Sequence, residues 1–193
     1  MKRSRNVSRV VVAGMLLSLA GCGYNTIQQL DESAAQAQKN IEVQLQRRSD
    51  LIGNLVETVK GQSKQELAVY TDVAKARAGV TDAINSHDPA READANLQLS
   101  SQLTILNRSV TEAYPQLKSD QAYLRLMDEL TGTENRIATA RTDYNQAVET
   151  YNAYIRQFPQ VVTARLSGSK PRAYFTATAA AQEAPKVDFS TKP

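Results

Sequence analysis

The chain has 193 residues, no tryptophan, and an excess of the helix formers Ala, Gln, Leu, Glu and Arg. Glycine and proline are sparse before Phe158, which argues against a loop-rich β fold and leaves enough chain for one helical domain with its own core. The net charge is +3, but residues 1–21 hold four Lys/Arg and no acid, so the remainder carries −1. That remainder lacks the electrostatic footprint of a nucleic-acid binder.

The N-terminus reads as a targeting segment. Lys2, Arg3, Arg5 and Arg9 precede an apolar run from Val10 to Ala20, interrupted only by Gly14 and Ser18. Small residues, Ala20 and Gly21, come just before Cys22. This is the three-part layout of a secretory signal. The apolar run falls well short of the roughly 20 residues that a spanning helix needs. Cys22 is the only cysteine and cannot form an internal disulfide. A buried core segment carrying a buried thiol is the alternative reading, and four cations beside the run argue against it. Leu19-Ala20-Gly21-Cys22 resembles the lipobox of bacterial lipoproteins. The resemblance implies that the Cys22 thiol receives a diacylglycerol, that residues 1–21 are removed, and that Cys22 becomes the first residue. Each buried methylene contributes about 0.8 kcal/mol, so two or more acyl chains hold a protein to a bilayer where one does not.

The first helix is expected from about Tyr24 to Lys60, with the apolar stripe Ile27, Leu30, Ala34, Ala37, Ile41, Leu45, Ile52, Leu55 and Val59. Gly61 and the polar run after it mark a break. A second helix spans roughly Gln65 to Asn85, with Leu67, Tyr70, Val73, Val80 and Ile84 on one face. Asp88-Pro89 is a helix-start signal, and the third helix is expected from Pro89 to Ala113. Tyr114-Pro115 ends it.

A fourth helix is expected from Ser119, as N-cap, to Phe158. One set of residues recurs every seven positions: Tyr123, Leu130, Ile137, Tyr144, Tyr151 and Phe158. A second, offset by four, is Met127, Glu134, Arg141, Val148 and Ile155. This is a coiled-coil-like seam. The expected fold is all-α: an antiparallel four-helix bundle with two long and two shorter helices, plus an irregular C-terminal arm. The domains are a cleaved lipoprotein signal over 1–21, a bundle over 22–158 anchored at its N-terminus, and an arm over 159–193 that packs back on the bundle. Val161, Val162, Leu166, Tyr174, Phe175, Val187 and Phe189 are more hydrophobes than a disordered tail keeps.

The usual chemistry is absent. His87 is the only histidine and sits in a turn, so no metal site and no cofactor are expected. There is neither a phosphate-binding glycine loop nor a serine nucleophile elbow, and an enzyme is disfavoured. Charges inside apolar stripes are more informative. Arg48 interrupts the first helix, and Glu134 and Arg141 interrupt the seam of the fourth. Helix heights place Arg48, Arg77 and Glu134 level with one another, as a buried polar layer with Asn54 or Asn135 as further members. The alternative is that these long side chains reach solvent at the seam edge. Glu92 serves as the exposed reference for that layer. Tyr144, Tyr151 and Tyr154 are either core residues or a binding face.

The stretches QLQRRSDLIGNLVETVKG (44–61), ARAGV (76–80), TENRIATARTDYNQAVETYNAYIRQFP (133–159) and YFTATAAAQEAPKVDF (174–189) resemble the LemA family of bacterial envelope proteins. The resemblance implies a helical bundle with an N-terminal membrane attachment, exposed outside the cytoplasm, and carries over no catalytic residue. Arg47, Arg48, Asp50, Asn54, Glu134, Asn135 and Arg141 match the family's polar pattern. Gly53 stands where many members have proline, the first helix has no tryptophan, and a lipobox replaces a spanning helix. The expected function is a non-enzymatic envelope lipoprotein that tethers or adapts other envelope proteins, with membrane lipid reached through Cys22 and no nucleic-acid partner. The alternative is a periplasmic ligand-binding or chaperone-like bundle. Gly23 as the second mature residue points to the outer membrane in a Gram-negative cell.

Overall fold

The computed structural model describes residues 2–62 and 69–176, with side chains from Gly23 onward apart from Gln62 and Lys118. Among these residues all regular structure is helical: α1 (Lys2–Gln62), α2 (Val69–Ser86), α3 (Pro89–Ala113), a 3-10 helix (Pro115–Ser119), α4 (Gln121–Tyr154) and α5 (Gln160–Ser167). The expected roles of Leu67, Val187 and Phe189 lie outside the described residues, as does the side chain of Cys22.

The α1 backbone begins at Lys2 rather than near Tyr24. No proline lies within residues 2–62, so none interrupts α1. The start of α3 is as expected: Pro89 occupies the first turn and the Asp88 carboxylate accepts the Ala90 N–H at 3.0 Å. The α2–α3 turn puts His87 at φ 51°, and the two helices pack against each other. The cap of α4 is Asp120, not Ser119. Its carboxylate accepts the Tyr123 N–H at 2.9 Å, whereas the Ser119 hydroxyl donates to the Gln116 carbonyl at 3.0 Å and closes the 3-10 helix.

Helix α4 ends at Tyr154, before the expected Phe158. Pro159 has no N–H to continue the ladder, and the residue before a proline is pushed out of the helical region. Phe158, placed in the seam by its sevenfold spacing, is instead 84% exposed. The C-terminal segment is not irregular throughout. Residues Gln160–Ser167 form α5, closed by Gly168 in the left-handed region at φ 73°. Chain without regular structure follows through Thr176.

The described chain divides into two compact units. The first takes residues from 2–39 and 140–174. Its core joins Ile27 of α1, Tyr151 and Ile155 at the end of α4, and Ala164 of α5, with Leu30 and Tyr154 packed against them. Gly23 is buried. A Cβ there would lie 3.6 Å from Gln160 Cγ and 3.8 Å from Thr163 Oγ1, so α5 rests on α1 at its residue 23.

The second unit takes residues from 40–139 and 175–176. The predicted stripes supply Ile41, Leu45, Ile52, Leu55 and Val59 from α1, Tyr70, Val73 and Val80 from α2, and Tyr123, Leu130 and Ile137 from α4 to its core, and α3 adds Leu99, Leu106 and Val110. Full burial of each aliphatic side chain contributes about 1.5–3 kcal/mol.

Candidate functional site

Polar groups enter the core of the second unit at one level. Arg48 follows Leu45 by three residues and precedes Ile52 by four, so helical spacing turns it inward. Its side chain is 5% exposed and pairs with the Glu134 carboxylate, which is 45% exposed. The same Nη1 donates to Asn96 Oδ1 of α3 at 2.8 Å, within a cluster that joins three helices. Burial pulls the Arg48 pKa down from its ordinary value, and Glu134 opposes that shift.

Arg77 takes a different place. Its guanidinium lies over Gly53, where a Cβ would come within 2.7 Å of it. Only glycine leaves that room on α1. Arg48 and Glu134 therefore meet directly, and Asn96 is the third member of the cluster. Asn54 and Asn135 are exposed, and Arg141 belongs to the first unit. Glu92 is no exposed reference: it is 0% exposed, in the first turn of α3, where a carboxylate is favoured by the helix dipole.

A cleft of about 500 Å³ lies between α1 and α2, lined by Asp50, Glu57, Lys60, Tyr70 and Arg77 among others. Lys60 Nζ sits 3.1 Å from Glu57 and 5.5 Å from the centre of the Tyr70 ring. Both charge signs line the walls, so the cleft suits a small polar or zwitterionic molecule better than a strong anion. Among the described residues, no group of His, Cys, Asp and Glu is arranged to hold a metal ion. His87 is exposed, with Nδ1 3.1 Å from Glu42 Oε1.

In the first unit the arm after α5 is fastened to α4 and α1 by side chains. Tyr144 donates its hydroxyl to the Ala173 carbonyl at 2.8 Å, and Tyr151 donates to the Lys170 carbonyl at 3.0 Å. Asn152 pairs with the main chain of Arg172, and Arg172 Nε donates to Asp31 Oδ1 at 2.7 Å. The Asp31 hydrogen bond raises the Arg172 pKa. Tyr144 and Tyr151 are thus buried rings whose hydroxyls hold the arm. Asp31, Asn96, Asn152 and Arg172 carry no sequence signal of these roles. Pro171 is a partial one, because it marks an extended segment.

The LemA family pattern matches residues 37–189. The chain belongs to the LemA family. The match covers α2, α3 and α4 entirely and leaves Cys22 and the start of α1 outside it. Among curated relatives, magnetosome proteins MamQ 1 and MamQ 2 of Paramagnetospirillum magneticum are each 30% identical over 177 residues. Magnetosome protein MamQ of Magnetospirillum gryphiswaldense is 26% identical over 175 residues. In each case the match takes in 79% of this chain and 64% of the relative, so this LemA-family chain spans under two thirds of their length. Among the described residues, no helix is long and apolar enough to cross a membrane.

Proposed function

We propose that this protein is a LemA-family lipoprotein of the bacterial envelope, tethered through Cys22 and acting as a non-enzymatic scaffold for other envelope proteins. One observation carries the reading. Gly23, packed beside Gln160 and Thr163 of α5, immediately follows a cationic, apolar, small-residue segment that ends in Cys22. Cleavage before Cys22 would remove residues 1–21 and leave the packed first unit next to its acyl chains. Family membership and the relatives named as magnetosome proteins support association with a membrane. Domain 22–158 faces the periplasm or exterior, at the outer membrane in a Gram-negative cell, with 159–193 as its arm.

The second unit is an antiparallel four-helix bundle in this reading. The Arg48–Glu134 pair, the Arg48–Asn96 hydrogen bond and the Gly53–Arg77 approach connect α1 with the other three helices and support it. Tethering would act by raising the effective concentration of partners at one surface.

Mass spectrometry of the N-terminus tests the anchor. A diacylglyceryl-modified Cys22 is expected, and an unmodified chain starting at Met1 would overturn it. Crosslinking in native membranes tests the scaffold, and recovery of no envelope protein above a soluble control would count against it. The α1–α2 cleft favours a second reading, a periplasmic ligand-binding bundle, which predicts a bound small molecule in the protein purified from cells.

A further inference from the structure

The segment around α5 combines two features. Residues 150–182 contain no acid, while Arg156, Arg165, Lys170 and Arg172 supply four cations. Among the described side chains, the same stretch carries the two most exposed large apolar ones, Phe158 at 84% and Leu166 at 83%, with Val162 at 51%. Ala164 faces the core with Ile27, Tyr151 and Ile155, whereas Val162 and Leu166, four residues apart, share the opposite face. Phe158 stands in the turn that leads into them.

The position of this face matters as much as its composition. Gln160 and Thr163 lie beside Gly23, the residue after Cys22, and the next residue, Tyr24, is an exposed aromatic. Exposed apolar side chains, arginines and a tyrosine thus gather within the first unit at the point where the chain would enter lipid. Arg172 is already engaged by Asp31, which leaves Arg156, Arg165 and Lys170 as the exposed cations.

We propose that α5 is a membrane-interface helix, with Phe158, Val162 and Leu166 seated in the headgroup–acyl boundary of an anionic bilayer and Arg156 and Arg165 paired with lipid phosphates. The occupant is a lipid surface, because the segment presents exposed apolar side chains flanked by cations and has no acid of its own, as anionic lipid requires. It is a second contact beside the acyl anchor, and it fixes how the first unit is oriented on the membrane. The inference rests on the membrane-attachment reading above.

The chain contains no tryptophan, so Leu166→Trp provides a single fluorescent reporter at an exposed site. The full-length protein, extracted from membranes, is reconstituted into phosphatidylglycerol-containing vesicles with brominated or ordinary acyl chains. The expected result is blue-shifted emission, quenched about twofold by bromine, as suits a side chain roughly 5–10 Å into the boundary. Phe158→Trp should behave alike, and Arg156→Glu with Arg165→Glu should reduce the quenching. Circular dichroism checks that each variant keeps its helices. Unquenched, red emission from protein that stays with the vesicles would overturn the role of α5 while leaving the anchor intact. Blue emission without bromine quenching would also overturn it and indicate a protein surface instead. Protein that fails to associate with membranes at all would overturn both readings.

Discussion

Asn152 holds Arg172 by both edges of its main chain. Its Nδ2 donates to the Arg172 carbonyl at 2.9 Å, and its Oδ1 accepts the Arg172 N–H at 2.8 Å. One side-chain amide thereby does for the arm what a neighbouring strand does in an antiparallel pair, where opposed residues exchange both bonds. The arm needs such a partner because extended chain has no hydrogen bonds of its own to satisfy its buried groups.

Asn152→Ala should therefore release the arm locally without unfolding the helices. Two hydrogen bonds are lost and two main-chain groups of Arg172 lose their partners, at a cost of about 1–3 kcal/mol. Hydrogen exchange should lose protection at Arg172 and its neighbours while α3 keeps its own. Asn152→Asp should be intermediate, since it keeps the acceptor and loses the donor. Unchanged exchange at residues 170–174 in the alanine variant would show that Asn152 does not hold the arm.

Glu134→Gln should destabilise the protein more than Glu129→Gln. The Arg47–Glu129 pair is 3.9 Å long with both side chains half exposed, and such pairs contribute about 0–1 kcal/mol. Glu134 neutralises Arg48 inside the core. Removing one partner of a fully buried pair costs about 3–5 kcal/mol. Glu134 is 45% exposed, so a loss of roughly 1–3 kcal/mol is expected. Urea unfolding measures both variants, and adding Arg48→Met to Glu134→Gln should recover part of the loss. Equal effects at positions 129 and 134 would count against a polar cluster with structural weight.

The inward position of Arg48 is readable from sequence because it continues the stripe through Leu45 and Ile52. Glu134 is readable because it repeats the spacing that runs through Met127 and Val148. Asn96 is not, since an asparagine on α3 acquires meaning only from what faces it across the unit. Asp31 and Arg172 are 141 residues apart, and no local pattern reports a contact set by the tertiary fold. Helix α5 was hidden by its own composition: Val161, Val162 and Thr163 are β-branched and weak helix formers. Packing of Ala164 against Ile27 and Tyr151 outweighs that propensity. Phe158 shows the converse error, a heptad register carried beyond Tyr154, where the approach to Pro159 has already ended the helix.

Gly53→Ala should show opposite-signed contributions. An alanine in a helix interior is favoured over glycine by about 1 kcal/mol. At position 53 its Cβ would lie 2.7 Å from the Arg77 guanidinium, the mobile end of a long side chain that can swing into the α1–α2 cleft. The single variant should therefore gain less than the helix term alone. In an Arg77→Ala background the full gain of about 1 kcal/mol should appear. A double-mutant cycle by thermal unfolding measures the difference, and strict additivity would mean that Gly53 is not there to make room for Arg77.

Alkaline pH should loosen both units through two buried phenols. Burial, reinforced by Asp31, raises the Tyr151 pKa, and burial raises that of Tyr123, whose hydroxyl donates to Asn107 Oδ1. A phenol whose folded pKa lies above its unfolded value stays neutral while the unfolded chain ionises. The stability it contributes is fully present below the unfolded pKa of about 10 and is lost as pH rises through the folded one. Unfolding free energy should accordingly be insensitive to these tyrosines near neutrality and fall above about pH 10. Tyr151→Phe should be less stable at neutral pH by about 0.5–1.5 kcal/mol, from the lost bond to the Lys170 carbonyl, yet decline less steeply in alkali. Denaturant melts across that range, read alongside phenolate absorbance, measure both effects. An alkaline slope unchanged by Tyr151→Phe and Tyr123→Phe together would remove the two phenols as its cause.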